Sequence, residues 1–239
     1  MIQSGTIEGI LLQKTDYSDN ALILKLLTES EGVRSFIFPG GKSKKKQGNT
    51  LIPLSVVNVT FTQKPNHNLG SVREIESAVV LRDIPFNPYK SGILFFMNEV
   101  LNNTVKEQED NEGLYNFVKH AVQILDLSES TLNFPAVFLI QLTNYLGFYP
   151  KVNEGGKFFD LREGTFVRYQ PSHPMYVPEE TSAVIKSLLD TKLDGSNQPV
   201  YNLQTRRRAL HELLNYYRVL FDHFHDLQSL AVLEATFHD

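Results

Sequence analysis

Along the first eighty residues apolar side chains recur at a period near two. Leu22, Leu24 and Leu26 mark one run, and Val57, Val59 and Phe61 alternate with Asn58, Thr60 and Thr62. That alternation is the pattern of a strand with one buried face. Residues 6–14 form an apolar run ending at the polar Asp16-Tyr17-Ser18-Asp19-Asn20, and residues 33–38 are stopped by Pro39-Gly40-Gly41. After a turn cluster at residues 65–70, residues 72–81 supply a fifth strand. Five short strands in so little chain predict a small closed Greek-key barrel.

The period changes after Asp83-Ile84-Pro85-Phe86-Asn87-Pro88. Two prolines this close oppose both helix and central strand, so the linker between two domains, 1–82 and 83–239, is expected here. Beyond it Ile93, Phe96, Met97, Val100, Leu101 and Val105 recur at three and four, and Leu114, Phe117, Val118, Ala121, Val122 and Leu125 do so again. A third helix is predicted from near Pro135 to a glycine cap at Gly147, with two more over 181–189 and 205–224. Residues 147–178 interrupt the helical pattern. Within them residues 158–167 read as a short hairpin with Gly164 in its turn. The expected class is α+β, a barrel followed by a helical bundle.

Composition narrows the chemistry. Among 239 residues there is no Cys, which excludes disulfides, thiolate metal sites and a cysteine nucleophile. The longest apolar runs fall far short of a membrane span of about 20 residues. No secretory pattern opens the chain, so a cytoplasmic protein is expected. The net charge of −4 hides an asymmetry. Residues 1–82 carry ten basic and seven acidic side chains, a net +3, whereas the rest carry thirteen and twenty, a net −7.

No nucleotide loop, nucleophile elbow or zinc-protease motif is present, and Gly40-Gly41-Lys42-Ser43 lacks the earlier glycine of a phosphate loop. His223 and His225, predicted two apart on a helix, would not converge on a metal. The acidic Glu107, Glu109, Asp110 and Glu112 read as a solvated loop. No catalytic constellation stands out, and a non-enzymatic protein is expected.

The basic positions say more. Lys42, Lys44, Lys45 and Lys46 lie within five residues, with Arg34, Lys64 and Arg73 on neighbouring strands or loops. Such crowding is offset by phosphates along a nucleic acid strand, although a merely solvated loop has the same composition. Phe36 and Phe38 either stack on bases or fill the barrel, and the core reading is the stronger. Arg206-Arg207-Arg208 opens a predicted helix, where cations oppose the macrodipole. A bound anion or salt bridges within the same domain would each account for it.

In this order, the motifs resemble those of the bacterial recombination mediator RecO family. Residues 6–24 are similar to its opening strand, Tyr-Ser-(Asp/Glu) turn and second strand, and residues 29–43 to its acidic-Gly turn, third strand and Gly-x-(Lys/Arg) loop. Tyr217-Arg218-Val219-Leu220, followed by residues 227–233, resembles its closing helix and Ser-Leu-x-Val-Leu signature. The resemblance implies an OB-fold barrel and a non-enzymatic DNA-binding protein of recombinational repair, without a cofactor and associated with the nucleoid. Such proteins bind single- and double-stranded DNA and anneal strands coated by single-stranded-DNA-binding protein. With RecR they load the RecA recombinase. It also implies DNA contact by Lys42, Lys44, Lys45 and Lys46, supported by Arg34 and Arg73. Its helical domain receives the C-terminal tail of the single-stranded-DNA-binding protein, for which Arg206 and Arg208 are candidates by charge. Many members carry a four-cysteine zinc motif after the third helix. Here the corresponding hairpin has no cysteine, so a degenerate zinc-finger-like element held by Phe148, Tyr149, Phe158, Phe159 and Phe166 is expected. The competing class is a protein-interaction adaptor, with the acidic helical domain as its working surface.

Overall fold

The computed structural model describes residues 3–43, 51–65, 69–105, 111–196 and 198–236. It is α+β, with a five-stranded N-terminal sheet and six helices. The five strands are β1 (Gln3–Asp16), β2 (Ala21–Thr28), β3 (Val33–Pro39), β4 (Val56–Gln63) and β5 (Gly70–Ser77). They pair in the order β1-β2-β3-β5-β4, with β1 bonded to both β2 and β4, so the barrel is closed. Only the β3–β5 seam is parallel, and it is short, Phe36 opposite Gly70 and Ile37 opposite Ser71.

Alternation fills the interior. Leu22, Leu24, Leu26, Phe36, Phe38, Val57, Val59 and Phe61 form one buried cluster, removing apolar surface that would cost about 25 cal/mol per Å² exposed. β5 ends at Ser77, four residues short of the run read from the sequence. Ser77 pairs with Val57 and the Ala78 amide donates to Val56, the first residue of β4. A strand ends where its partner does.

Ile10, Leu11 and Leu12 are all buried, which simple alternation does not allow. Burial of both faces of β1 accounts for it, and a register shift follows between Leu11 and Gln13. Leu11 joins the interior cluster, while Ile10 and Leu12 stay outside it and are covered from elsewhere.

The cover comes from helices. α1 (Pro88–Thr104) and α2 (Glu112–Leu127) contribute residues 100–104 and 112–122 to the same compact unit as the barrel. Asn102 donates through Nδ2 to the Leu12 carbonyl at 2.9 Å, and Tyr115 and Lys119 both reach the Glu8 carboxylate. An amphipathic stripe declares that a face is buried, but not against what.

The second unit holds residues 83–99 and 123–239. Its linker segment is pinned by Asp126, whose Oδ1 accepts from the Asp83 and Ile84 amides, each at 2.9 Å. Lys90 completes the knot, donating to the Asp126 carbonyl at 2.8 Å and pairing with Asp83 at 2.7 Å. α3 (Phe134–Leu146) has proline in its first turn and stops at Gly147, whose φ of +86° favours glycine. α4 (Glu179–Leu188), α5 (Leu203–Leu220) and α6 (Gln228–Thr236) follow. α5 ends four residues before the predicted 224. Phe221 turns extended, and a turn carries Phe224 back onto Tyr217, 5.5 Å between ring centroids. His223 therefore lies on that turn and His225 in the irregular segment after it, neither on a helix.

Between α3 and α4 a small sheet of order β6-β8-β7-β9 comprises Lys151–Val152, Thr165–Val167, Phe158–Asp160 and Tyr176–Val177. β7 and β8 form the predicted hairpin. Phe159 stacks on Phe166 at 4.8 Å and meets Tyr216 edge-on at 4.9 Å, while Phe148 also packs on Tyr216. Asp160 closes the turn, its Oδ1 accepting from the Arg162 and Glu163 amides. Its Oδ2 accepts from His173 Nε2, a tautomer fixed because His173 Nδ1 accepts from the Met175 amide. Of the aromatic set expected to hold this element, Tyr149 is 38% exposed and its hydroxyl donates to the Leu189 carbonyl.

Candidate nucleic-acid interface

Two loops meet at the end of the barrel where β1 passes to β2 and β3 leaves. The β1–β2 turn is closed by the Tyr17 and Ser18 amides, both donating to the Ala21 carbonyl. Ala21 pairs with Pro39, which brings this turn beside the segment 39–43. That segment is itself tightly turned. The Gly41 amide donates to Phe38 and the Ser43 amide to Gly40, and a Cβ on Gly41 would lie 2.7 Å from the Phe38 ring. Only glycine lets the backbone pass so close.

Lys42 emerges from this turn, with its Nζ 3.1 Å from the Asp16 carboxylate. The pair is largely solvated, since Asp16 is 79% exposed, and such pairs contribute little to stability. Lys44, Lys45 and Lys46 lie outside the described residues. Arg73 is exposed on β5, and its Nε donates to Thr62 Oγ1 at 3.2 Å. Arg73 falls at a register shift of β5, between Val72 opposite Phe61 and Glu74 opposite Thr60, two residues beyond the last β3–β5 pair, Ile37–Ser71.

Arg34 behaves differently. Its guanidinium donates to Glu31 at 2.5 Å and Gln63 at 2.7 Å, and sits 4.9 Å and 5.0 Å from the Phe36 and Phe61 ring centroids. With its side chain only 15% exposed, Arg34 braces the barrel wall. Phe36 and Phe38 are buried in the interior, and no base could reach them.

The second basic cluster does not form one patch. Arg206 is buried, donates from Nε to the Tyr201 carbonyl, and lines a shallow depression with Leu132, Pro135, Val184 and Leu210. Arg207 donates to the Glu234 carbonyl, and Arg208 pairs with Glu180 at 3.3 Å. Successive helix positions lie about 100° apart, so three neighbouring arginines point three ways. Asn202 caps the same helix, its side chain accepting from the Thr205 amide.

Tyr17, 56% exposed between the two loops, belongs to the Tyr-Ser-(Asp/Glu) turn, but motif reading assigns it no contact role. The signal for one is an aromatic residue set among Asp16, Ser18, Asp19 and Asn20, with no apolar neighbour to pack against. Glu107, Glu109 and Asp110 lie outside the described residues. Among the described residues no three His, Asp or Glu side chains converge in a metal-like cluster. No helix among them is long and apolar enough to cross a membrane.

Fold and charge together define an α+β protein with an N-terminal strand barrel, Lys42 at one of its ends, Arg73 exposed on its wall, and a helical unit. Residues 1–80 match the family model described as Recombination protein O N terminal, and residues 85–225 match Recombination protein O C terminal. The chain belongs to the recombination protein O family. It is 31% identical over 235 residues to a protein of Flavobacterium psychrophilum named DNA repair protein RecO, covering 96% of this chain and 98% of that one. A Flavobacterium johnsoniae protein of the same name is 31% identical, covering 96% and 98%, and one from Bacteroides fragilis 30% identical, covering 96% and 97%.

Proposed function

We propose that this chain is a non-enzymatic DNA-binding mediator of recombinational DNA repair. In this reading the OB-type barrel binds single- and double-stranded DNA. The protein anneals complementary strands coated by single-stranded-DNA-binding protein, and with RecR it promotes loading of RecA. The observation that carries the reading is the match of both halves of the chain, in order, to one family whose members are named for DNA repair. Lys42 at one end of the barrel and the exposed Arg73 on β5 support it, because phosphate contacts supply most sequence-independent affinity.

The helical unit is the proposed receiver of the acidic tail of single-stranded-DNA-binding protein. Arg206, beside an apolar depression, and the exposed Arg208 are its candidate contacts. The zinc motif of many relatives does not fit this chain. Without cysteine there is no thiolate donor set, and the small sheet is filled by Phe159 and Phe166, both fully buried. We therefore read it as a zinc-finger-like element that folds on aromatic packing. The protein is expected to work among cytoplasmic, nucleoid-associated DNA.

The test is annealing of complementary oligonucleotides coated by the cognate single-stranded-DNA-binding protein. Faster annealing with the protein than without it supports the reading. No detectable DNA binding, beside tight binding to a protein partner, would replace it with the adaptor reading.

A further inference from the structure

A single strand of nucleic acid presents faces as well as charge, and binding proteins usually meet the faces with aromatic rings. Among the described residues, the aromatic side chains of the barrel core, Phe36, Phe38 and Phe61, are buried and cannot serve. Tyr17 is the exception. Its ring is 56% exposed, yet its amide is fixed to the Ala21 carbonyl at 3.1 Å. The ring is therefore presented from a closed turn, which lowers the entropy lost on binding.

Its surroundings have the chemistry of a strand path. On one side Asp16, adjacent in sequence, holds Lys42 at 3.1 Å. Across the outer face of the sheet, Thr15 pairs with Ile23, Ile23 with Ile37, and Ile37 with Ser71. Ile23 and Ile37 are half-buried on that face, an apolar floor next to the turn. Arg73 stands two residues beyond Ser71. Asp16 and Asp19 oppose a phosphate, but the Asp16 charge is already met by Lys42. A phosphate taking Asp16's place on Lys42 leaves the Asp16 carboxylate unpaired, a small cost because that carboxylate is 79% exposed.

We propose that Tyr17 is a base-stacking residue for single-stranded DNA, taking one base on its ring while Lys42 and Arg73 hold phosphates of the same strand. This deepens the DNA-binding reading and rests on it. A base on the ring is a non-ionic contact, so Tyr17 sets affinity without setting the salt dependence.

The chain contains no tryptophan, so Tyr17→Trp creates a single reporter at the proposed position. Binding of labelled oligo(dT) is followed by anisotropy across a salt series for the unsubstituted protein, Tyr17→Ala, Tyr17→Phe and Tyr17→Trp. Tyr169→Trp, at a 76% exposed site in the second unit, is the control emitter. Tyr17→Ala should bind about tenfold more weakly, within the range of one base–aromatic stack, with the slope of log affinity against log salt unchanged. Tyr17→Phe should bind within about twofold of the unsubstituted protein, since the ring is kept. Emission of Tyr17→Trp should be quenched to saturation as oligo(dT) binds, while that of Tyr169→Trp stays constant.

Unmoved emission of Tyr17→Trp through a binding curve seen by anisotropy overturns the proposal and leaves DNA binding standing. So does Tyr17→Ala binding as tightly as the unsubstituted protein, or equal quenching of both tryptophans. No oligo(dT) binding by the unsubstituted protein at low salt sinks the DNA-binding reading, and this proposal with it.

Discussion

The Tyr115 hydroxyl donates to the Glu8 carboxylate at 2.5 Å, joining a helix to a barrel strand 107 residues earlier. Lys119, one turn on, donates to the same oxygen at 2.6 Å. Burial works against the Glu8 charge. The hydrogen bonds from Lys119 and Tyr115, with the Lys119 charge, outweigh it and hold the carboxyl below its usual value of 4.5. Burial, with the bond to Glu8, pushes the Tyr115 hydroxyl far upward, so it stays a donor at any working pH.

A depressed carboxyl stabilises the fold above its unfolded pKa, and that contribution fades as pH falls through the lower, folded value. The unsubstituted protein should therefore lose stability as pH drops below about 4.5. Glu8→Gln should unfold at a lower urea midpoint at pH 7, by about 2 kcal/mol, because two charge-assisted bonds weaken. Its acid limb should be shallower. Equal acid limbs for the two proteins would show that Glu8 is not the responsible group.

Gly164 and Tyr216 form a second such pair. Gly164 has φ +61°, and a Cβ there would sit 2.3 Å from the Tyr216 hydroxyl, which donates to the Phe148 carbonyl at 2.7 Å. Gly164→Ala combines a backbone cost of about 1 kcal/mol with that clash, for a total of about 2–3 kcal/mol. Tyr216→Phe removes the clashing oxygen and strands a carbonyl, costing about 1 kcal/mol. The double variant should be more stable than the sum of the two losses implies, by about 1 kcal/mol in denaturant unfolding. Strict additivity would mean the hydroxyl moves aside at no cost.

These pairs mark where sequence reading stops. Alternation at Leu22, Leu24, Leu26 and at Val57, Val59, Phe61 disclosed the barrel, because a buried face imposes its period on every strand. Gly164 and Gly147 disclosed a turn and a cap through their backbone needs. The docking of Asn102 on Leu12 and of Tyr115 and Lys119 on Glu8 was hidden, since long-range partners leave no local period. β6 and β9 are two residues each, too short to show any period. In the candidate site, counting charge grouped Arg34 with Lys42. Only geometry separates a guanidinium laid over Phe36 and Phe61 from an ammonium paired with an exposed carboxylate. The run Arg206-Arg207-Arg208 looked like one patch for the same reason.

Arg34 offers a direct test of that separation. Arg34→Ala gives up the bonds to Glu31 and Gln63 and the cover over two rings, and should destabilise the barrel by about 1–2 kcal/mol. Arg34→Lys should recover little, because an ammonium cannot span both acceptors and lie flat over the rings. Neither change should alter the salt slope of oligonucleotide binding, since Glu31 already offsets the charge. A slope that flattens by the equivalent of one phosphate in Arg34→Ala would return this residue to the DNA interface.

Lys42 makes the opposite case. A phosphate reaching it must displace Asp16, whose exposed pairing is worth at most about 1 kcal/mol. Asp16→Asn should therefore tighten binding of single strands at low salt by up to about fivefold, an effect that shrinks as salt rises. Changing Lys42, Lys44, Lys45 and Lys46 together to Ala should weaken binding and flatten the slope by about 0.7 for each phosphate no longer neutralised. Lys42→Ala alone should account for one such step. Anisotropy of a labelled oligonucleotide across a salt series measures all three proteins. Weaker binding by Asp16→Asn would show that the Asp16–Lys42 pair builds the interface and does not compete with it. Undiminished affinity in the fourfold variant would move the phosphate-binding positions away from this end of the barrel.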